Sequence, residues 1–279
     1  MIINGRAIAA DILAQVKNDI ATHTHVPVVR AIVVAPTPAT QSYLKIKTLR
    51  AHEAGMNLEV IGFEKDSTPE ELIKAIQREG ADAVIVQLPL PGPISTLDIL
   101  DSIPVAQDAD VLSTQAYRSF FEEREGTILP PVVSAVKEVF TRANIFPKGK
   151  RAVVIGNGQL VGKPAAHFLA SSGADVSIIT RESFEKSKHL LKEADIVVSG
   201  AGTAHFVKPD MLKAGVVLID AGTSGAEGSL VGDVDPACSS IASVFTPVPG
   251  GMGPIAVACL FKNVNELIKS KQALSTSAK

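Results

Sequence analysis

Short runs of valine, isoleucine and alanine alternate along the chain with longer segments whose apolar residues recur every three or four positions. That alternation predicts strands and amphipathic helices in turn. Residues 28–34 follow Pro27 and carry Arg30 as their only polar side chain, which suits a strand buried on both faces. Residues 58–63 and 83–87 read as two further strands, the second halted by Pro89, Pro91 and Pro93. Helices are predicted over 7–21, over 42–54 with Gly55 closing it, and over 68–77, where Thr68 can cap and Pro69 fits the first turn. A second series opens near Arg151, with strands at 152–155, 176–179, 196–199 and 216–219 and a helix at 161–171. A final helix, about 255–269, is expected to return onto the first domain, and the serine- and alanine-rich tail from Ser270 is expected to fray. Strands alternating with helices in this way predict parallel sheets covered on both faces.

Composition narrows the class. With 279 residues the chain is long enough for two domains, and 46% hydrophobic residues can fill two cores. The 27 basic and 29 acidic residues nearly cancel, so no electrostatic footprint for nucleic acid or an anionic membrane is expected. Cys238 and Cys259 stand outside any metal-ligand spacing and make no disulfide framework; no metal site is expected, and a reducing cytoplasm is. The N-terminus lacks the pattern of a signal peptide, and no apolar run spans a bilayer.

The first strand of the second series ends in Gly156-Asn157-Gly158-Gln159-Leu160-Val161-Gly162, directly before a helix. Glycine there lets a phosphate approach the backbone, and the helix N-terminus offers unpaired N–H groups to the anion. The last spacing is one residue longer than the usual dinucleotide fingerprint, and a tight turn without ligand would use the same residues. The next strand ends at Thr180-Arg181-Glu182. Arg181 suits a ribose 2′-phosphate and so NADP; Glu182, about 20 residues past Gly162, sits where NAD sites place an acid. Arginine, coming first, favours NADP over NAD.

Tyr43 and Lys47 lie four residues apart and share a face of the second predicted helix. A lysine partly withdrawn from water can serve as a base or proton shuttle. Lys45, Lys47 and Arg50 could equally form a solvated basic face. Two loops favour the chemical reading. Gln87 stands at the carboxyl end of a buried strand, where open parallel sheets bind ligands, and Thr246–Pro254 combines proline stiffness with glycine access.

Tyr43 with Lys47, the Gln87-Leu-Pro-Leu-Pro91 strand end, the Gly-x-x-Val-Gly-x-Pro run from Gly158 to Pro164, and Thr246-Pro-Val-Pro-Gly-Gly-Met-Gly-Pro254 occur in this order. Together they resemble the bifunctional methylenetetrahydrofolate dehydrogenase/cyclohydrolase family over nearly the whole chain. The resemblance implies an α/β fold of two domains: a catalytic folate domain over 1–137 with the C-terminal helix from about 255, and a Rossmann-type NADP domain over 138–254, with a cleft between them. It implies oxidation of 5,10-methylenetetrahydrofolate with NADP, then hydrolysis of the methenyl product to 10-formyltetrahydrofolate. Lys47 corresponds to the catalytic lysine of the hydrolysis, Tyr43 to the ring that stacks on folate, and Gln87 to the lysine's hydrogen-bond partner. Asp110 corresponds to the carboxylate that grips the pterin amino edge, and Gly250, Gly251 and Pro254 to folate-pocket backbone. Gly156, Asn157, Gly158, Gln159, Leu160, Thr180 and Arg181 are the expected cofactor contacts. The family is commonly a homodimer built through its second domain and serves purine biosynthesis.

Four departures bear on the oxidative step. The family's Lys-Asp-Val-Asp-Gly-Phe is Gln107-Asp-Ala-Asp-Val111-Leu112 here, so the glycine after the key aspartate is missing and a different loop backbone is expected. Pro-Cys-Thr-Pro becomes Pro130-Pro-Val-Val133, Gly-Arg-Ser becomes Gly156-Asn-Gly158, and Gly-Pro-Met-Thr becomes Gly253-Pro-Ile-Ala256. Alternatives are a monofunctional cyclohydrolase, an NAD-preferring dehydrogenase of the same fold, and a non-catalytic folate- or nucleotide-binding homologue.

Overall fold

The computed structural model describes residues 1–23, 25–92, 94–226 and 229–277. Pro93, one of the prolines expected to halt the third strand, and the last two residues of the tail lie outside them. The elements run α1 (Gly5–Ile20), β1 (Val28–Val34), α2 (Pro38–Glu53), β2 (Asn57–Phe63), α3 (Pro69–Gln77) and β3 (Ala83–Val86). Helices α4 (Thr96–Asp101), α5 (Thr114–Phe121) and α6 (Pro131–Arg142) follow. Then come β4 (Arg151–Ile155), α7 (Gly162–Ser171), β5 (Asp175–Ile179), α8 (Phe184–Ser187), β6 (Ile196–Ser199) and β7 (Val217–Asp220). The chain ends with β8 (Ser224–Ala226), β9 (Ser229–Val231), β10 (Val244–Phe245) and α9 (Met252–Ser277). They divide into two compact units, one of Ala10–Pro131 with Val257–Lys279, the other of Met1–Ala9 with Val132–Ala256.

In the first unit β2, β1 and β3 form a parallel sheet in that order. Six of the seven β1 residues are buried, because the sheet's central strand is covered on both faces. Ile32 lies opposite Ile61 and Val86, and around it Leu72, Ile76, Ile99 and Leu100 close the core. Arg30 is buried and fully engaged: Nε donates to Glu59 at 2.7 Å, and its other nitrogens donate to the carbonyls of Ala75, Arg78 and Glu79 at the end of α3. A guanidinium so satisfied is tolerated in a core, so Arg30 ties α3 to the sheet.

In the second unit five parallel strands run β10-β7-β6-β4-β5. The chain passes from β4 to β5 on one side, then returns to β6 on the other, which makes the carboxyl end of β4 a topological switch point where such sheets bind ligands. Val153, Ile155, Ile179, Val197, Leu218 and Phe245 build its core. The N-terminal residues join this unit through Ile3 N–H to Phe245 O at 2.8 Å and Gly5 N–H to Gly250 O at 2.9 Å.

Most element bounds fall within two residues of the sequence expectation; α2 and α9 differ by more. Helix α2 starts at Pro38 rather than 42, because Thr37 accepts the N–H of Thr40 and Pro38 occupies the first turn. Helix α9 begins at Met252 and stays helical to Ser277, so the tail does not fray where it was expected to. The unread stretch between β3 and β4 holds α4, α5 and α6, the first two started by the side chains of Ser95 and Ser113. Among the described residues no helix is long and apolar enough to cross a membrane.

Candidate functional site

Two sets of functional candidates lie in different units. In the first unit, α2 carries Tyr43 and Lys47 one turn apart, both half-buried. Gln87 extends β3 by one residue, its N–H bonded to Ile32 O at 2.8 Å. Its Nε2 donates to Leu88 O at 3.0 Å, which turns Oε1 toward the lysine; Lys47 Nζ donates to that oxygen at 3.1 Å. The amide is therefore fixed at both ends, and it holds the amine in one place. The solvated-face reading survives only for the neighbours: Lys45 is exposed and Arg50 pairs with Glu53 on its own helix.

Asp110 belongs to a segment that runs beside β3, with Asp108 bridged in parallel to Val84. Everything around Asp110 is tied down. Asp108 is buried and accepts from Leu112 N–H, Ser113 N–H and Ser113 Oγ, the last at 2.6 Å. Gln107 donates to Ala81 O at 2.6 Å, and Asn263 of α9 donates to Ala109 O at 2.9 Å and Leu129 O at 2.8 Å. Asp110 itself accepts no hydrogen bond from any described residue. Burial pushes its carboxyl pKa up; the charge of Lys47 pulls the other way and that of Asp108 adds to the rise. The half-buried carboxyl is left open to a ligand that offers N–H groups.

The valine after Asp110 has φ +57°, in the left-handed region that glycine normally fills. Val111, fully buried, holds this conformation without a glycine. For an L-residue that costs about 1–2 kcal/mol, offset by the burial of its side chain. Ala35, just after β1, is likewise left-handed at φ +44°.

In the second unit the glycine turn lies at the carboxyl end of β4. Gly156 has φ +98°, and a Cβ there would lie 2.7 Å from Gly200 O; one on Gly162 would lie 2.1 Å from Gly156 O. Those two glycines are required by packing. A Cβ on Gly158 meets nothing within 4 Å, so its absence leaves open room above the turn. Asn157, Gln159 and Leu160 are exposed, and Val161 gives α7 no side-chain cap, so its first N–H groups are free of a capping side chain. At the end of β5, Thr180 N–H donates to Ser183 Oγ at 3.0 Å. Thr180's side chain, then Glu182's own backbone N–H, then the charge of Arg181 hold Glu182 below the usual carboxylate range. Glu182 is thus engaged by its own loop, while Arg181 is exposed with no hydrogen-bond partner among the described residues. This set fits a dinucleotide: room for a phosphate at the turn, the uncapped start of α7 behind it, where Lys163 N–H turns in to Gly158 O at 3.0 Å, and an available cation at the next strand end.

Gly250, Gly251 and Pro254 belong to this second unit, not to the unit of Lys47. A Cβ on Gly5 would lie 1.9 Å from Gly251 O, and one on Gly251 would lie 2.5 Å from Pro247 O. Gly251 is thus demanded by its own loop's backbone, Gly250 by its φ of +104°, and Gly5 by the close approach of the loop to the N-terminal segment. Pro254 lies in the first turn of α9, where proline is accommodated.

Sequence reasoning missed two buried acids. Asp220 ends β7 and accepts from Gly222 N–H, Asp233 N–H and Val234 N–H. Asp233 accepts from Ser199 Oγ at 2.7 Å, Ala201 N–H at 2.7 Å and Thr203 N–H at 2.8 Å. Burial, opposed by those backbone donors and reinforced by the charge of Asp233, pushes Asp220 up to about 7. The available signal was a glycine beside each acid: a Cβ on Gly222 would lie 2.1 Å from Asp233 Oδ2, and one on Gly232 would lie 2.0 Å from Asp220 Oδ2. Among the described residues no group of three or more His, Cys, Asp or Glu is placed to hold a metal ion.

Comparison with known proteins agrees with this division of labour. Residues 3–110 match the family described as Tetrahydrofolate dehydrogenase/cyclohydrolase, catalytic domain, and residues 130–272 its NAD(P)-binding domain. The bifunctional protein FolD of Lacticaseibacillus casei is 33% identical over 278 residues, covering 96% of this chain and 98% of that protein. The crystal structure of the bifunctional FolD methylenetetrahydrofolate dehydrogenase/cyclohydrolase from Campylobacter jejuni superposes with a TM-score of 0.92 at 31% identity, covering 97% of this chain and 99% of that one. The Trypanosoma brucei enzyme, solved with NADP cofactor and inhibitor, also gives 0.92, at 30% identity over 97% of this chain and 98% of that one. With both halves matched and relatives aligned end to end, the chain belongs to the tetrahydrofolate dehydrogenase/cyclohydrolase family.

Proposed function

We propose that this protein oxidises 5,10-methylenetetrahydrofolate to the 5,10-methenyl form with NADP, and hydrolyses that product to 10-formyltetrahydrofolate. The observation that carries the reading is the amine of Lys47 held on Gln87 Oε1, with the donor-free carboxyl of Asp110 in its field. In the hydrolysis, water adds its oxygen to the amidinium carbon and loses a proton. The bond from that carbon to one ring nitrogen then opens, and the nitrogen takes up a proton. Lys47 manages those protons, a role for which a fixed amine is suited. Gln87 is a positioning residue: its amide, anchored on Leu88, keeps Nζ from swinging into solvent. Tyr43, one turn back on α2, offers its ring to the flat pterin. Asp110 accepts from the pterin's paired N–H groups, a bidentate match that ends its unpaired state.

For the oxidation the protein supplies binding and alignment; NADP, when bound, accepts the hydride. Gly156, Asn157, Gly158, Gln159 and Leu160 cradle the phosphates, and Thr180 and Arg181 receive the ribose 2′-phosphate, with Arg181 free to pair it. The reading extends to a homodimer built through the dinucleotide unit, a cytoplasmic location and supply of one-carbon units for purine synthesis, each supported by the family's habits. The test is turnover by the purified protein of methylene- and methenyltetrahydrofolate, the first with NADP and NAD in turn. Both substrates are expected to turn over, with NADP preferred; turnover of neither overturns the proposal, and equal use of NAD removes Arg181 from its role.

A further inference from the structure

The two buried acids of the second unit form a chain of contacts that ends at the glycine turn. Asp220 holds the backbone N–H groups of Asp233 and Val234 at 3.2 and 3.0 Å. Asp233, fully buried, in turn holds Ser199, Ala201 and Thr203, the last residue of β6 and the loop after it. That loop leans on both ends of the turn. A Cβ on Gly200 would lie 2.4 Å from Val161 Cγ1, and one on Gly156 would lie 2.7 Å from Gly200 O. Gly222 and Gly232 leave space for the two carboxylates that a Cβ at either position would fill.

We infer that Asp233 is a positioning residue for the dinucleotide: by fixing the β6 loop it sets the wall against which the 156–162 turn is formed. Its carboxylate accepts from three donors, one at the end of β6 and two in the loop after it, and that loop is the turn's neighbour on the switch-point side of β4. A loop left to drift by a fraction of an ångström would carry Gly200 away from Gly156 and Val161 and loosen the phosphate cradle. Asp220 supports the arrangement from behind, through the backbone of Asp233.

The inference rests on the NADP reading above, and one experiment separates the two. NADPH is titrated directly into the purified full-length protein, following the nicotinamide's own fluorescence; the chain has no tryptophan to interfere. Methenyltetrahydrofolate hydrolysis, which consumes no dinucleotide, is measured on the same samples. Asp233→Asn sets an amide N–H₂ against one of the donors; Ser199→Ala removes one donor and leaves the acid with two. In Asp233→Asn the Kd for NADPH and the KM for NADP should rise about tenfold or more, with hydrolysis within about twofold of the parent. Ser199→Ala should move the same way by about threefold, and carries the test if Asp233→Asn does not fold. Unchanged NADPH affinity in folded Asp233→Asn or in Ser199→Ala overturns the inference, as does parallel loss of binding and hydrolysis in Ser199→Ala. A parent protein that binds NADPH without turning folate over refutes the proposed function and leaves this inference standing.

Discussion

Asp110 and Asp233 are acids beside the carboxyl ends of parallel strands, the first half-buried with no hydrogen-bond donor among the described residues, the second buried with three. The contrast separates a group kept for a ligand from a group spent on the scaffold. Around Asp110 the protein satisfies every neighbour, Asp108 through Ser113 and the Ala109 carbonyl through Asn263, and leaves the one acid unmet. Around Asp233 the glycines are cut away so that three donors can close on the carboxylate.

The comparison breaks most visibly in stability. Asp233→Ala leaves the buried Ser199 hydroxyl and two part-buried backbone N–H groups without their acceptor, so a loss of about 2 kcal/mol or more is expected, against little or none for Asp110→Ala. Urea unfolding of the two variants checks this; similar losses would erase the distinction. Next in size is a pH effect from Asp220. Its carboxyl, pushed up to about 7 from an ordinary 3.8, keeps a proton in the folded state that the unfolded chain has given up. Stability should therefore fall as pH rises from about 4 to about 7, by up to a few kcal/mol, and level off above. Melting curves across that range should show a shallower decline in Asp220→Asn than in the parent; identical slopes would assign the effect elsewhere.

For Asp110 the effect belongs to binding. Asp110→Asn should raise the folate KM about ten- to a hundredfold, the worth of a charge-assisted pair, with NADPH affinity unchanged. Because burial raises this carboxyl, folate binding in the parent should weaken on acidification at a higher pH than for an ordinary aspartate, and the asparagine variant should lack that step. The smallest expected change is at Ala35. Glycine there relieves a left-handed alanine and should stabilise by under about 1 kcal/mol, read from the urea midpoint.

The difference between the two acids also marks what could be read without coordinates. Local patterns carried far: β1 and β6 fall on the expected residues, because a run such as Val28–Val34 admits little but a buried strand. Helix spacing and a strand end placed Lys47 and Gln87 separately, while their pairing, like Asp110, came only through the family resemblance. The start of α2 was missed because Thr37 and Pro38 sit in a proline-rich stretch that reads equally well as a loop. Asp220 and Asp233 were invisible for a stronger reason. All but one of their partners lie 13 to 34 residues away, and an aspartate with a glycine one or two residues off looks like any turn. The left-handed Val111 could not be read from the sequence, because propensity alone disfavours it and the surrounding packing decides.

The central claim is that the Lys47 amine, pinned by Gln87, carries the hydrolysis. The direct measurement is the disappearance of methenyltetrahydrofolate with Lys47→Met, a variant of similar length without the proton, compared with the parent. A fall of about a hundredfold or more, with melting temperature and NADPH affinity unchanged, is the expected result. Hydrolysis at the parent's rate in a folded Lys47→Met protein would contradict it.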